Sequence, residues 1–155
     1  MNKKILMTII LVFLIISVSA YLLRPDKKEF SGMNVEVYKS LSCGCCEGYI
    51  SELENYGFDV KLNVLEDPEK MQELKSQYKI PSELQGCHTV KMGDYFVEGH
   101  VPLEAVEKLL REKPDVDGLA LGGMPPGAPG MGGIKDGTFV IYSIKNGEAS
   151  KFMEI

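Results

Sequence analysis

The sequence predicts an α/β domain, and three observations carry that expectation. Short alternating, β-rich segments are interleaved with segments whose apolar residues recur at helical spacing. Pro and Gly sit where those segments begin and end. Hydrophobic residues make up 45% of the chain and charged residues 25%, the balance of a protein with a packed core.

The elements follow in order. Met33–Tyr38 alternates and reads as a first strand. Lys39–Cys46 is a turn. From Cys46 to Tyr56, Tyr49, Ile50, Leu53 and Tyr56 recur on one helical face, and Gly57 is a stop signal. Phe58–Val64 reads as a second strand. Asp67-Pro68 opens a second helix that runs to about Tyr78 through Met71 and Leu74. Its Glu and Lys residues, and those of 104–113, read as solvated faces. Cys87–Met92 and Tyr95–Glu98 form a hairpin turning at Gly93-Asp94. Pro102 starts a third helix through Leu103, Val106, Leu109 and Leu110, closing near Lys113-Pro114. Residues 118–137 are Gly/Pro-rich and read as loop. Thr138–Ile144 and Ala149–Met153 make a last hairpin at Asn146-Gly147. The order is β-α-β-α-β-β-α with an extra C-terminal β-hairpin, which is thioredoxin-like. The CxxC pair Cys43 and Cys46 falls between the first strand and first helix, where such a domain keeps reactive thiols.

The first 24 residues read differently. Lys3 and Lys4 precede a 19-residue run, Ile5–Leu23, interrupted only by Thr8, Ser17, Ser19 and Tyr21. Val18-Ser19-Ala20 fits signal-peptide cleavage, and the run length fits an uncleaved membrane anchor equally well. Either places the domain, 33–155 after a 25–32 linker, outside the cytoplasm: in a periplasm or on the outer face of the cytoplasmic membrane. Of 17 basic residues, three precede residue 25, leaving 14 against 22 acidic, a net of −8. A domain of that charge repels nucleic-acid phosphates. It leaves metal cations as candidate partners.

The chemistry sits in four cysteines. Cys43, Cys45 and Cys46 fall within four residues, and Cys87 stands alone. A thiol at a helix N-terminus is stabilised as thiolate, which is both nucleophile and metal ligand. Cys43 and Cys46 are spaced for a disulfide. Cys45 is easier to explain as a third soft ligand than as a bystander, and soft thiolates favour Cu(I), zinc and iron–sulfur centres. In a regular strand Cys87 and His88 face opposite ways, so Cys87 is expected to face the cluster and His88 is the weaker candidate. His100 precedes the third helix. Met124 and Met131 lie in the Gly/Pro loop, and their thioethers also suit Cu(I). Bland readings stand beside these: two structural disulfides, a structural zinc held by three Cys and one His, hydrogen-bonded histidines, and packing methionines. Met33, Met71, Met92 and Met153 read as packing.

Tyr38-Lys39-Ser40 before Cys43-Gly44-Cys45-Cys46, Gly86-Cys87-His88-Thr89, Glu98-Gly99-His100-Val101-Pro102, Gly123-Met124-Pro125 and Pro129-Gly130-Met131 stand in the order in which they occur in the CopG-like proteins of bacterial copper resistance. Over residues 34–133 the chain resembles that family of small exported proteins. The resemblance implies a thioredoxin-like fold, a periplasmic or membrane-facing location, and copper held by cysteine thiolates, in a multinuclear Cu(I) cluster or otherwise. By motif position Cys43, Cys45, Cys46 and Cys87 carry over as ligands, and His88, His100, Met124 and Met131 less securely. Redox chemistry on copper or thiols is implied as well.

Two functional classes remain open. One is a copper-binding protein with a transfer partner. The other is a thiol–disulfide or copper oxidoreductase using Cys43 and Cys46, with a redox partner. No Ser/His/Asp set, phosphate-binding loop or paired carboxylates points to hydrolysis or phosphoryl transfer.

Overall fold

The computed structural model describes Met7, residues 12–14 and residues 30–155. The signal-peptide or anchor reading of 1–24 therefore lies almost wholly outside the described residues. Among the described residues no helix is long and apolar enough to cross a membrane.

One seven-stranded sheet organises the domain. In chain order the elements are β1 (Asn34–Ser40), α1 (Gly44–Tyr56), β2 (Asp59–Leu65), α2 (Pro68–Gln77), a 3-10 turn (Ser82–Leu84), β3 (His88–Met92), β4 (Tyr95–Glu98), α3 (Leu103–Glu112), β5 (Gly118–Ala120), β6 (Val140–Lys145) and β7 (Glu148–Glu154). The strand order is β2-β1-β3-β4-β5-β6-β7. β1 runs parallel to β2 and antiparallel to β3, with Lys39 opposite His88. That pairing sets the end of β1, which leads into Cys43, beside the start of β3, which follows Cys87.

One face of the central strands is fully buried. Val35, Val37, Val90, Met92 and Val97 pack with Tyr49, Ile50 and Leu53 of α1 and with Ala105, Val106 and Leu109 of α3. On the opposite face Phe96, next to Val97 in β4, joins a second cluster with Ile80, Leu84, Ala120 and Ile144. The α/β, thioredoxin-like order holds, and the C-terminal hairpin extends the same sheet.

Three expectations need correction. The first helix starts at Gly44 and not at Cys46; Cys43 is its N-cap, so Cys45 and Cys46 both lie in the first turn. The stretch read wholly as loop begins with β5, paired parallel to β4. Gly118 makes that strand possible: a Cβ there would lie 2.3 Å from the Phe96 carbonyl oxygen and 2.6 Å from its ring. Third, α2 is not solvated on all its charged positions. Lys75 is buried, because α2 covers the second cluster's face and Lys75 meets Glu98 there.

The Gly/Pro loop after β5 packs on α1 backbone to backbone. A Cβ on Gly48 would sit 2.6 Å from the Gly130 oxygen, and one on Gly130 would sit 2.2 Å from the Tyr49 nitrogen. Gly130 also has φ +74°. Gly132, by contrast, has open space at its Cβ position. We expect Gly130→Ala to lower stability by about 1–3 kcal/mol in chemical denaturation, with Gly132→Ala near neutral. Equal midpoints for the two variants would contradict this packing.

Candidate metal centre

Local sequence explains why three thiols gather at the start of α1. Cys43 is extended (φ −86°, ψ 95°) and caps the helix without a side-chain hydrogen bond. Gly44, Cys45 and Cys46 then turn at once, so all three cysteines lie at the helix start, where backbone N–H groups are free. Cys43 and Cys46 form a disulfide with Cα atoms 5.5 Å apart; Cys45 and Cys87 are free. The spacing had allowed that bond.

Cys87 closes the cluster from the other chain segment. Its Sγ lies 3.6 Å from Cys45 Sγ and 3.5 Å from Cys46 Sγ, while Cys43 and Cys45 sulfurs are 3.6 Å apart. Four sulfurs around one tetrahedral ion at a 2.3 Å bond length would be separated by about 3.8 Å. The set is therefore almost dimensioned for a shared soft metal, once the disulfide is open.

Both histidines reach the same thiol. Cys87 Sγ is 3.4 Å from His88 Nδ1 and 3.3 Å from His100 Nε2. The strand-alternation reasoning that separated Cys87 from His88 fails because β3 begins at His88; Cys87 precedes the pleat and is free to turn back. His100 has a set tautomer. Its Nδ1 lies 2.7 Å from the Pro129 carbonyl oxygen, which only accepts, so Nδ1 carries the proton and Nε2 presents a lone pair to Cys87. His88 Nε2 is buried with no hydrogen-bond partner among the described residues. Tyr49 packs its ring against both imidazoles, at 4.7 and 5.6 Å between centroids, and donates its hydroxyl proton to the Val101 oxygen at 2.8 Å.

The electrostatics favour neutral groups in the metal-free state. Burial, then the hydrogen bond and charge of Cys45, push the Cys87 thiol up to about 12. Burial, reinforced by His100 and Lys75, pulls His88 down to about 3, and burial lowers His100. Such imidazoles are unprotonated at neutral pH and free to act as ligands or as acceptors of a thiol proton.

Thus six of the eight expected metal-site residues come together: Cys43, Cys45, Cys46 and Cys87 in one donor group, with Cys87, His88 and His100 in a second that shares Cys87. Met124 and Met131 lie on the Gly/Pro loop after β5. Met131 packs against the main core, and Met124 is 42% exposed at φ +47°. The motif reading missed the polar residues behind Cys87, namely Lys75, Thr89 and Glu98, all buried. A Glu ending the otherwise apolar strand β4 was the available signal.

His88 yields a pH prediction. The unfolded imidazole titrates near 6.5, the folded one near 3. Between these values the unfolded chain holds a proton that the folded chain lacks, so stability falls as pH falls from 6.5. The expected slope from this residue approaches about 1.4 kcal/mol per pH unit. His88→Gln should flatten the pH dependence of metal-free unfolding by that amount; an unchanged slope would contradict a buried neutral His88.

Comparison with known proteins supplies the family. Residues 84–131, which include Cys87, His88 and His100 but not the α1 thiols, match the family model described as "Protein of unknown function, DUF411". No curated protein matches the chain. Among solved structures, "Copper resistance protein copG- Form 1" is 36% identical, with 81% of this chain and 98% of that one covered and a TM-score of 0.72. "Copper resistance protein copG- Form 2" has the same identity and TM-score, with 99% of its length covered. Identity at that level over 81% of this chain and nearly the whole of those structures shows that the chain belongs to the CopG copper-resistance family.

Proposed function

We propose that this chain is an extracytoplasmic copper-binding protein that takes Cu(I) through the thiolates of Cys43, Cys45, Cys46 and Cys87 in copper resistance or handling. The observation that carries the reading is the convergence of four sulfurs, from α1 and from the segment before β3, within 3.6 Å of their neighbours. Thiolates are soft donors and favour Cu(I) over hard cations. His88 Nδ1 and His100 Nε2 add nitrogen donors at the Cys87 end. Four sulfurs with two nitrogens exceed what one ion needs, which supports a multinuclear site. Membership in a family named for copper resistance supports copper over zinc. Residues 1–24 act as signal peptide or anchor and 33–155 as the metal-binding domain.

In this reading the disulfide and the loaded site exclude one another. Two electrons and two protons from a dithiol reductant open Cys43–Cys46. Copper then displaces thiol protons, and uptake therefore strengthens as pH rises. Met124 and Met131 on the loop serve as supplementary soft donors.

A second reading has its own observation. A disulfide at the first turn of a helix, with two free thiols beside it, is the equipment of a thiol–disulfide or copper oxidoreductase. Anaerobic titration against a competing Cu(I) chelator separates the two, with zinc titrated in parallel. We expect the reduced chain to take up more than one Cu(I), the oxidised chain to take up less, and Cys45→Ser to lose copper while still forming the disulfide. Weak uptake by the reduced chain, with ready exchange of the Cys43–Cys46 disulfide, would favour the oxidoreductase. Stoichiometric zinc with little copper would favour the zinc site.

A further inference from the structure

A buried ion pair lies behind the thiol cluster and takes no part in it. Glu98, the last residue of β4, is fully buried, and Lys75 of α2 is 4% exposed. Glu98 Oε1 accepts from Lys75 Nζ and from the Gly86 N–H at 2.6 Å; its Oε2 accepts from the Thr89 hydroxyl at 2.5 Å. Lys75 Nζ also donates to the Gly86 carbonyl at 3.0 Å. Both backbone polar groups of Gly86 are thus held by this one pair.

Placement gives the pair its meaning. Gly86 is the residue before Cys87, and Glu98 stands two residues before His100. Gly86 is pressed against Gly99, where a Cβ would lie 2.7 Å from the Gly99 Cα, and the Gly99 N–H donates to the His88 oxygen at 3.0 Å. The segments carrying Cys87, His88 and His100 are therefore tied to one carboxylate. A buried ion pair adds little net stability over an apolar replacement of the same volume, so structural need alone does not account for it.

We propose that Glu98 and Lys75 are positioning residues that clamp Gly86 and thereby hold Cys87 between the α1 thiols and His100. Its affinity readout rests on the copper reading above; its thiol readout does not. With the Cys43–Cys46 disulfide intact, Cys45 and Cys87 are the free thiols, and Cys45 is an internal control. Pulse alkylation of the metal-free full chain with iodoacetamide, read by mass spectrometry, gives the ratio of Cys87 to Cys45 rates. General loosening raises both rates, whereas loss of the clamp raises the ratio.

In Glu98→Gln we expect that ratio to rise about 10-fold, and Cu(I) affinity of the reduced chain to fall about 10-fold or more, with unfolding still cooperative. Glu98→Asp keeps the charge but shortens the reach, and should shift both readouts the same way. A folded Glu98 variant with the ratio unchanged overturns the clamp. Should neither Glu98 variant fold, Thr89→Val removes one donor to the same carboxylate, and an unchanged ratio there overturns it equally. Absence of Cu(I) uptake by the wild-type chain contradicts the copper reading and leaves the alkylation ratio to judge the clamp.

Discussion

The centre depends on the antiparallel pairing of β1 with β3. Lys39 opposite His88 means that the chain leaves β1 for Cys43 at the point where it enters β3 from Cys87. Thiols 41 residues apart in sequence are then neighbours across 3.5 Å. A one-residue slip would turn every side chain of β3 to the other face. It would bury Lys91 in place of Val90 and Met92 and carry His88 away from Tyr49. The core and the site therefore select the same register, and the hydrophobic cost of an error in one protects the other.

Around that junction, glycine makes the close contacts possible. Gly48 and Gly130 let the loop lie directly on α1, and the neighbouring Pro129 oxygen sets the His100 tautomer. The donor set is thus prepared from three directions: the helix start, the β3 entry with its buried Lys75–Glu98 clamp, and the loop. Each direction restricts a different sulfur or nitrogen. Preorganisation of this kind lowers the ordering cost of binding.

Most of the fold was legible in the sequence because its signals are local. Alternation marked the strands, period 3.6 and Pro68 marked the helices, and Asn146-Gly147 marked the last turn. β5 was not legible: three residues, one of them Gly118, have no periodicity to read. Lys75 was misplaced because charge pattern alone reads a lysine as solvated, and only β4 packing shows the carboxylate that receives it. At the site, the cysteines were legible from their clustering. His88 was doubted on a strand rule that applies only inside a strand. The exposure of Met124 and the core packing of Met131 follow from how the loop folds, which composition does not reveal.

The central claim is that Cys87 joins the α1 thiols around copper. X-ray absorption at the copper edge, on the reduced and Cu(I)-loaded chain, tests it most directly. The account predicts a first shell dominated by sulfur that loses sulfur in Cys87→Ser. A shell of nitrogen and oxygen, or a sulfur shell untouched by Cys87→Ser, would contradict it.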